Sequence, residues 1–105
     1  MMGITALYHR AQDSMLYIAA SHPGKPREGR LKKDRETMFG SRLYRVEVAD
    51  LGAAGPVELD GAPGVKSGKL EGICGQGEEA WLVFEGTRPT FLRVPWQQLQ
   101  PLESD

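Results

Sequence analysis

The stretch that decides the fold runs from Lys69 to Val94. Lys69-Leu70-Glu71-Gly72-Ile73-Cys74 sets Leu70 and Gly72 against Glu71 and Ile73, and Gly75-Gln76-Gly77-Glu78-Glu79 reads as a turn. Ala80-Trp81-Leu82-Val83-Phe84-Glu85 is a strongly apolar run of strand length, Gly86 to Pro89 turns the chain, and Thr90 to Val94 returns. Short runs rich in β-branched and aromatic residues, bounded by Gly and Pro, are the signature of strands joined by hairpins.

The reading extends in both directions. Downstream, Pro95-Trp96-Gln97-Gln98-Leu99 predicts one turn of tight helix entering a short last strand at Leu99 to Leu102. Upstream, Ile4 to His9 sets Ile4, Ala6 and Tyr8 against Thr5, Leu7 and His9 with period two. Asp13-Ser14 is a turn signal, and Met15 to Ala20 is apolar on both faces, as in a central strand. Arg42 to Ala49 sets Tyr44, Val46 and Val48 against Arg45 and Glu47, a half-buried strand, and Val57 to Leu59 has room for another. Between these lie Ser21 to Gly29, broken by Pro23, Gly24, Pro26 and Gly29, and a candidate helix over Leu31 to Phe39 closed by Gly40. The expectation is a mainly β fold: one small barrel or sandwich of about six short strands with one short helix. It would form a single globular domain over residues 1–105, with a Gly/Pro-rich basic loop at 21–35.

Composition fits that size. The chain has 105 residues, enough for one core, and its 13 Gly and 7 Pro interrupt it too often for long helices. A single cysteine, Cys74, excludes an intramolecular disulfide, so packing must hold the domain. The apolar run Met15 to Ala20 is far short of the ~20 residues that span a bilayer. Met1 to Ala11 has no basic start leading into a sustained apolar stretch, and the sequence has no Asn to carry a glycan. A cytoplasmic protein without membrane contact is expected.

The net charge of -1 hides an asymmetry. Residues 25–45 carry eight basic and three acidic side chains, whereas residues 46–105 carry four and ten. Lys25, Arg27, Arg30, Lys32, Lys33 and Arg35 fall within one short segment, which could grip phosphates in a salt-sensitive way. No aromatic is interleaved there for base stacking. The plainer alternative is a solvated loop, or one that docks on the acidic body of a second subunit.

Other motifs lose their chemistry on inspection. Gly64-Val65-Lys66-Ser67-Gly68-Lys69 suggests a phosphate-binding loop, but Pro63 and Leu70 stand where it needs Gly and Ser or Thr. The glycines of Gly72 to Gly77 belong to a hairpin. His9, His22 and Cys74 are too few for a structural zinc site, and Cys74 is expected to be a buried small hydrophobe. Glu78-Glu79 lie in a turn flanked by glycine, where solvated carboxylates keep a hairpin soluble and protect an edge.

The span from Cys74 to Leu102 resembles the closing half of an SH3-like small barrel. The matching positions are Trp81, the Glu85 to Thr90 turn, Val94-Pro95, Trp96-Gln97-Gln98, Leu99 and Leu102; Ala6-Leu7-Tyr8 is similar to the opening of peptide-binding members. The resemblance implies a groove bearing Tyr8, Trp81 and Pro95. The chain departs from the family in its long 21–68 segment, in having only Asp13 as an acidic residue near Tyr8, and in Gln97-Gln98 replacing an Asn-Tyr pair. An exposed Trp beside Pro is a common interface anchor, so Trp96 joins the candidates; the alternative is that it caps the open end of the barrel. The functional expectation is a non-enzymatic protein-interaction module, without cofactor or metal, contacting another protein or peptide through Tyr8, Trp81, Pro95 and Trp96. The alternative is a nucleic-acid-binding protein using the basic segment 25–45. A homo-oligomer is compatible with an exposed sheet edge.

Overall fold

The computed structural model of the chain describes residues 3–21, 40–50, 55–85 and 90–102. The described strands are β1 (Gly3–Arg10), β2 (Met15–Ser21), β3 (Ser41–Glu47), β4 (Val57–Asp60), β5 (Lys69–Gln76), β6 (Glu79–Glu85), β7 (Thr90–Pro95) and β8 (Gln100–Pro101). They form two antiparallel sheets, a five-stranded one in the order β1-β2-β3-β4-β8 and a three-stranded one in the order β5-β6-β7. The expected mainly β fold is therefore present, with eight strands among the described residues where about six were expected, and the described strands do not close into a barrel. Among the described residues the only helical turns are single 3₁₀ turns at Val48–Asp50 and Trp96–Gln98. The helix expected over 31–39 and most of the basic loop lie outside the described residues. No helix among the described residues is long and apolar enough to cross a membrane.

The local signals act as their chemistry requires. Gln76 pairs with Glu79 across a two-residue loop in which Gly77 has φ +62°. A positive φ at the first central residue is the pattern of a type II′ hairpin turn, and glycine meets it without steric cost. In the β1–β2 hairpin Ser14 takes a positive φ of 56°, and the Met15 N–H donates to Asp13 Oδ1 at 3.1 Å. The segment Gly64 to Lys69 is a turn feeding β5, and Leu70 is wholly buried in the core.

Two bulges reset the alternation expected from sequence. One lies between Ile4 and Ala6 and the other between Leu70 and Gly72. An extra residue in one strand lets residues an odd number apart share a face. So Leu70 and Ile73 both enter the core across Glu71, while Ile4 is exposed and Ala6 and Tyr8 pack inward. Strand β3 differs as well. Its inward residues are Ser41 and Leu43, with Arg45 half-buried near the Tyr17 hydroxyl, while Tyr44 and Val46 take the opposite face. The period-two reading found the strand but not its inward side, because β3 lies between two strands and has apolar residues on both faces.

The core lies between the sheets. Tyr17, Ala19, Leu43 and Leu59 from the larger sheet meet Leu70, Ile73, Ala80, Leu82 and Val94 from the smaller, with Val65, Trp96 and Leu99 from the connections. A polar seam joins the sheets where β1, β2 and β3 reach β5. Thr5 Oγ1 donates to the Leu70 carbonyl at 2.7 Å, and the Leu70 N–H donates to Ser41 Oγ at 2.8 Å. Ser21 and Ser41, both buried, place their hydroxyl oxygens 2.7 Å apart, and Ser41 Oγ lies 2.9 Å from the Gly68 carbonyl.

Candidate functional site

The four candidate contact residues fall on opposite sides of the smaller sheet. Trp96 follows Pro95 in the 3₁₀ turn, where its N–H donates to the Glu78 carbonyl at 3.1 Å and the turn swings the indole inward. It is 6% exposed, so the face expected to be open is covered. Tyr8 stacks on it with ring centroids 5.8 Å apart and planes at 12°, and Tyr17 packs at 4.5 Å. The Arg10 guanidinium covers the indole at 5.0 Å from its centroid. Gly75 leaves space for this cluster, since a Cβ there would lie 2.7 Å from Trp96 Cζ2 and 2.8 Å from the Tyr8 hydroxyl. Tyr8 and Trp96 thus belong to the packed interior.

The same end of the fold holds Asp13, whose Oδ2 accepts from Arg10 Nη1 at 2.8 Å and from the Tyr17 hydroxyl at 3.0 Å. Partial burial alone would raise the Asp13 pKa. The hydrogen bonds from Arg10, the Met15 N–H and Tyr17, with the Arg10 charge, outweigh it and hold the carboxyl below its ordinary value. Burial, and then the Asp13 carboxylate, push the Tyr17 phenol up. Asp13, the acidic residue nearest Tyr8 in the sequence, is therefore engaged by its own chain.

Trp81 and Pro95 belong to a different surface, the outward face of β5-β6-β7. Strand pairing puts Trp81 between Cys74 and Arg93, and Val83 between Gly72 and Phe91. Residues paired across strands point to one side, so Trp81, Val83, Phe91, Arg93 and Pro95 share a face. The Arg93 guanidinium sits 5.6 Å from the Trp81 ring centroid, over its face, and among the described residues forms no ion pair. Phe91 is 64% exposed. Gly72 and Cys74 line the far side of this face with little bulk, and Cys74 is exposed, contrary to the buried thiol expected. At its lower rim Lys69 Nζ reaches Glu85 at 2.9 Å, and that hydrogen bond raises the lysine pKa.

Phe91 and Arg93 were not singled out by sequence reading. Their signal was parity with Trp81, which becomes visible only once the hairpin register is fixed. Lys25, Arg27, Arg30, Lys32, Lys33 and Arg35 lie outside the described residues. Arg42, in the described part of the 25–45 segment, stands 4.0 Å from Glu58. Among the described residues no hydrogen bond links Cys74 to His9, and no three His, Cys, Asp or Glu side chains gather as a metal site would require.

Comparison of the chain with protein-family models, curated proteins and solved structures finds no match.

Proposed function

We propose that the protein is a binding module that holds a protein segment against the outward face of β5-β6-β7. The carrying observation is Phe91, largely exposed beside Val83 and Trp81 on a face that also presents Arg93. Folding gains nothing from leaving a large aromatic side chain in water, whereas an interface gains from aromatic and arginine anchors at its centre. A partner segment suited to this face carries an apolar side chain for Phe91 and Val83. It also carries a carboxylate for Arg93, whose planar guanidinium accepts a bidentate partner while stacked on an indole. The larger sheet also exposes Ile4 and Leu7, but Val46 and Ala20 on that face are already covered. The Pro95-Trp96 turn into β8 supports the SH3-like reading of residues 74–102, with the contact surface on the outward face and not at Tyr8.

The test is selection of peptides from a random display library, followed by affinity measurements on variants. The expected ligands pair apolar with acidic residues, and Phe91→Ala or Trp81→Ala weakens them roughly tenfold or more. Leu7→Ala leaves them unchanged. Ligands insensitive to both face substitutions refute the reading. Steeply salt-dependent binding of nucleic acid, lost on charge reversal at Lys32 and Lys33, supports the alternative instead.

A further inference from the structure

Strand β7 has β6 on one side and, among the described residues, no strand on the other. Its hydrogen-bonding parity follows from one contact. Trp96 N–H donates to the Glu78 carbonyl, so 96/78 is a hydrogen-bonded pair of the antiparallel ladder. Such pairs recur every second residue, which assigns Val94/Ala80 and Leu92/Leu82 to the same class. The N–H and C=O groups of Phe91 and Arg93 therefore point away from β6, along the open edge. Pro95 shares this parity, and its missing N–H costs the sheet nothing there.

This edge is complementary to itself. A two-fold axis through Leu92, perpendicular to the sheet, sets Phe91 of one copy opposite Arg93 of the other in a hydrogen-bonded pair. The two Leu92 side chains then meet on the inward side as a close non-hydrogen-bonded pair. On the outward side Arg93 stands between its own Trp81, over whose ring it already lies, and the Phe91 ring of the second copy. No other register centred on this strand does as well. An axis through Arg93 would oppose two guanidinium groups, and an axis through Phe91 would leave Arg93 unmatched. In the sequence Pro89 and Pro95 both stand three residues from Leu92, and neither has an N–H to extend the ladder. Before Pro95 the strand has no bulge, and its single charge is Arg93.

We infer that two copies of this chain associate through antiparallel pairing of β7 with β7, centred on Leu92, to give one continuous six-stranded sheet. The inference shares Phe91 and Arg93 with the peptide-binding reading but rests on the backbone edge of β7, and edge pairing leaves Trp81 and Val83 facing outward.

Sedimentation equilibrium on the full chain and a set of variants tests it, with circular dichroism confirming that each variant folds. The wild type is expected at twice the chain mass. Phe91→Lys puts Lys opposite Arg93 and is expected to give a monomer. Arg93→Pro, which removes an outward N–H as Pro95 does, is also expected to give a monomer. Phe91→Glu puts a carboxylate opposite Arg93 and keeps the dimer while removing the aromatic anchor. The double variant Phe91→Lys/Arg93→Glu restores the dimer. A monomeric wild type overturns the inference. So does a dimer that survives folded Phe91→Lys or Arg93→Pro, and so does failure of the folded charge-swapped variant to reassociate. Loss of selected-peptide binding in Phe91→Glu with the dimer intact separates this association from the peptide-binding reading.

Discussion

The hydroxyl oxygens of Ser21 and Ser41 lie 2.7 Å apart in a fully buried seam between the two sheets. With one hydrogen each, they satisfy the seam in a consistent order. Ser41 donates to the Gly68 carbonyl and accepts from the Leu70 N–H, while Ser21 has two acceptors within reach, Ser41 Oγ at 2.7 Å and the Leu70 carbonyl at 3.0 Å. The Leu70 carbonyl is then served by Thr5. Every polar group in the seam has a partner, as burial demands.

The two serines therefore differ in weight. Ser41→Ala strips the Leu70 N–H of its acceptor inside the core and is expected to cost about 2–3 kcal/mol. Ser21→Ala removes one donor while Ser41 and Leu70 keep other partners, and is expected to cost about 1 kcal/mol. Urea denaturation of the two variants checks the order; equal costs would contradict the asymmetry.

Gly75 carries a second prediction. Gly75→Ala forces a methyl group against Trp96 and Tyr8 and is expected to destabilise by about 1–3 kcal/mol, as overpacking does. Tyr8→Phe removes the hydroxyl that lies in the way. The double variant should then lose less than the sum of the singles, a coupling readable in a double-mutant cycle.

Acid sensitivity should be traceable to Asp13. Its pKa is lower in the folded chain than in the unfolded one, so its contribution is complete above the ordinary carboxylate value and disappears as pH falls through the folded value. Asp13→Asn is expected to cost about 1–2 kcal/mol at neutral pH, with the gap from wild type closing on acidification. Denaturant midpoints measured at stepwise lower pH follow this directly. Tyr17 acts in the opposite sense: its raised pKa means that its contribution holds below its ordinary value and is lost as pH rises through the folded one.

Phe91 and Leu82 separate surface from core. Phe91→Ser, measured at a concentration where the chain is monomeric, is expected to change folding stability by no more than about 0.5 kcal/mol. Leu82→Ala, at a wholly buried position, is expected to cost about 2–5 kcal/mol. Thermal melts of the pair distinguish an aromatic kept for contact from one kept for packing.

Much of the fold was legible because its signals are local. The apolar run of β2, the Gly77 turn and the Pro95-Trp96 turn are each specified by a few adjacent residues, and each forms where it was expected. The bulges at Thr5 and Glu71 were not legible, because neither residue type demands an extra position; packing against the other sheet sets it. The choice between an exposed and a covered Trp96 was not legible for the same reason. Its covering partners Tyr8, Arg10 and Tyr17 come from the far end of the chain. Of the face proposed for contact, Trp81 and Pro95 were named from sequence, while Phe91 and Arg93 emerge only from cross-strand pairing.

The larger sheet finishes in β8, two residues long and ending at Pro101, and its other margin, β1, lies against β5. A two-fold contact between β7 edges consumes the same edge on both partners. Assembly by this route terminates at a closed pair instead of propagating into filaments.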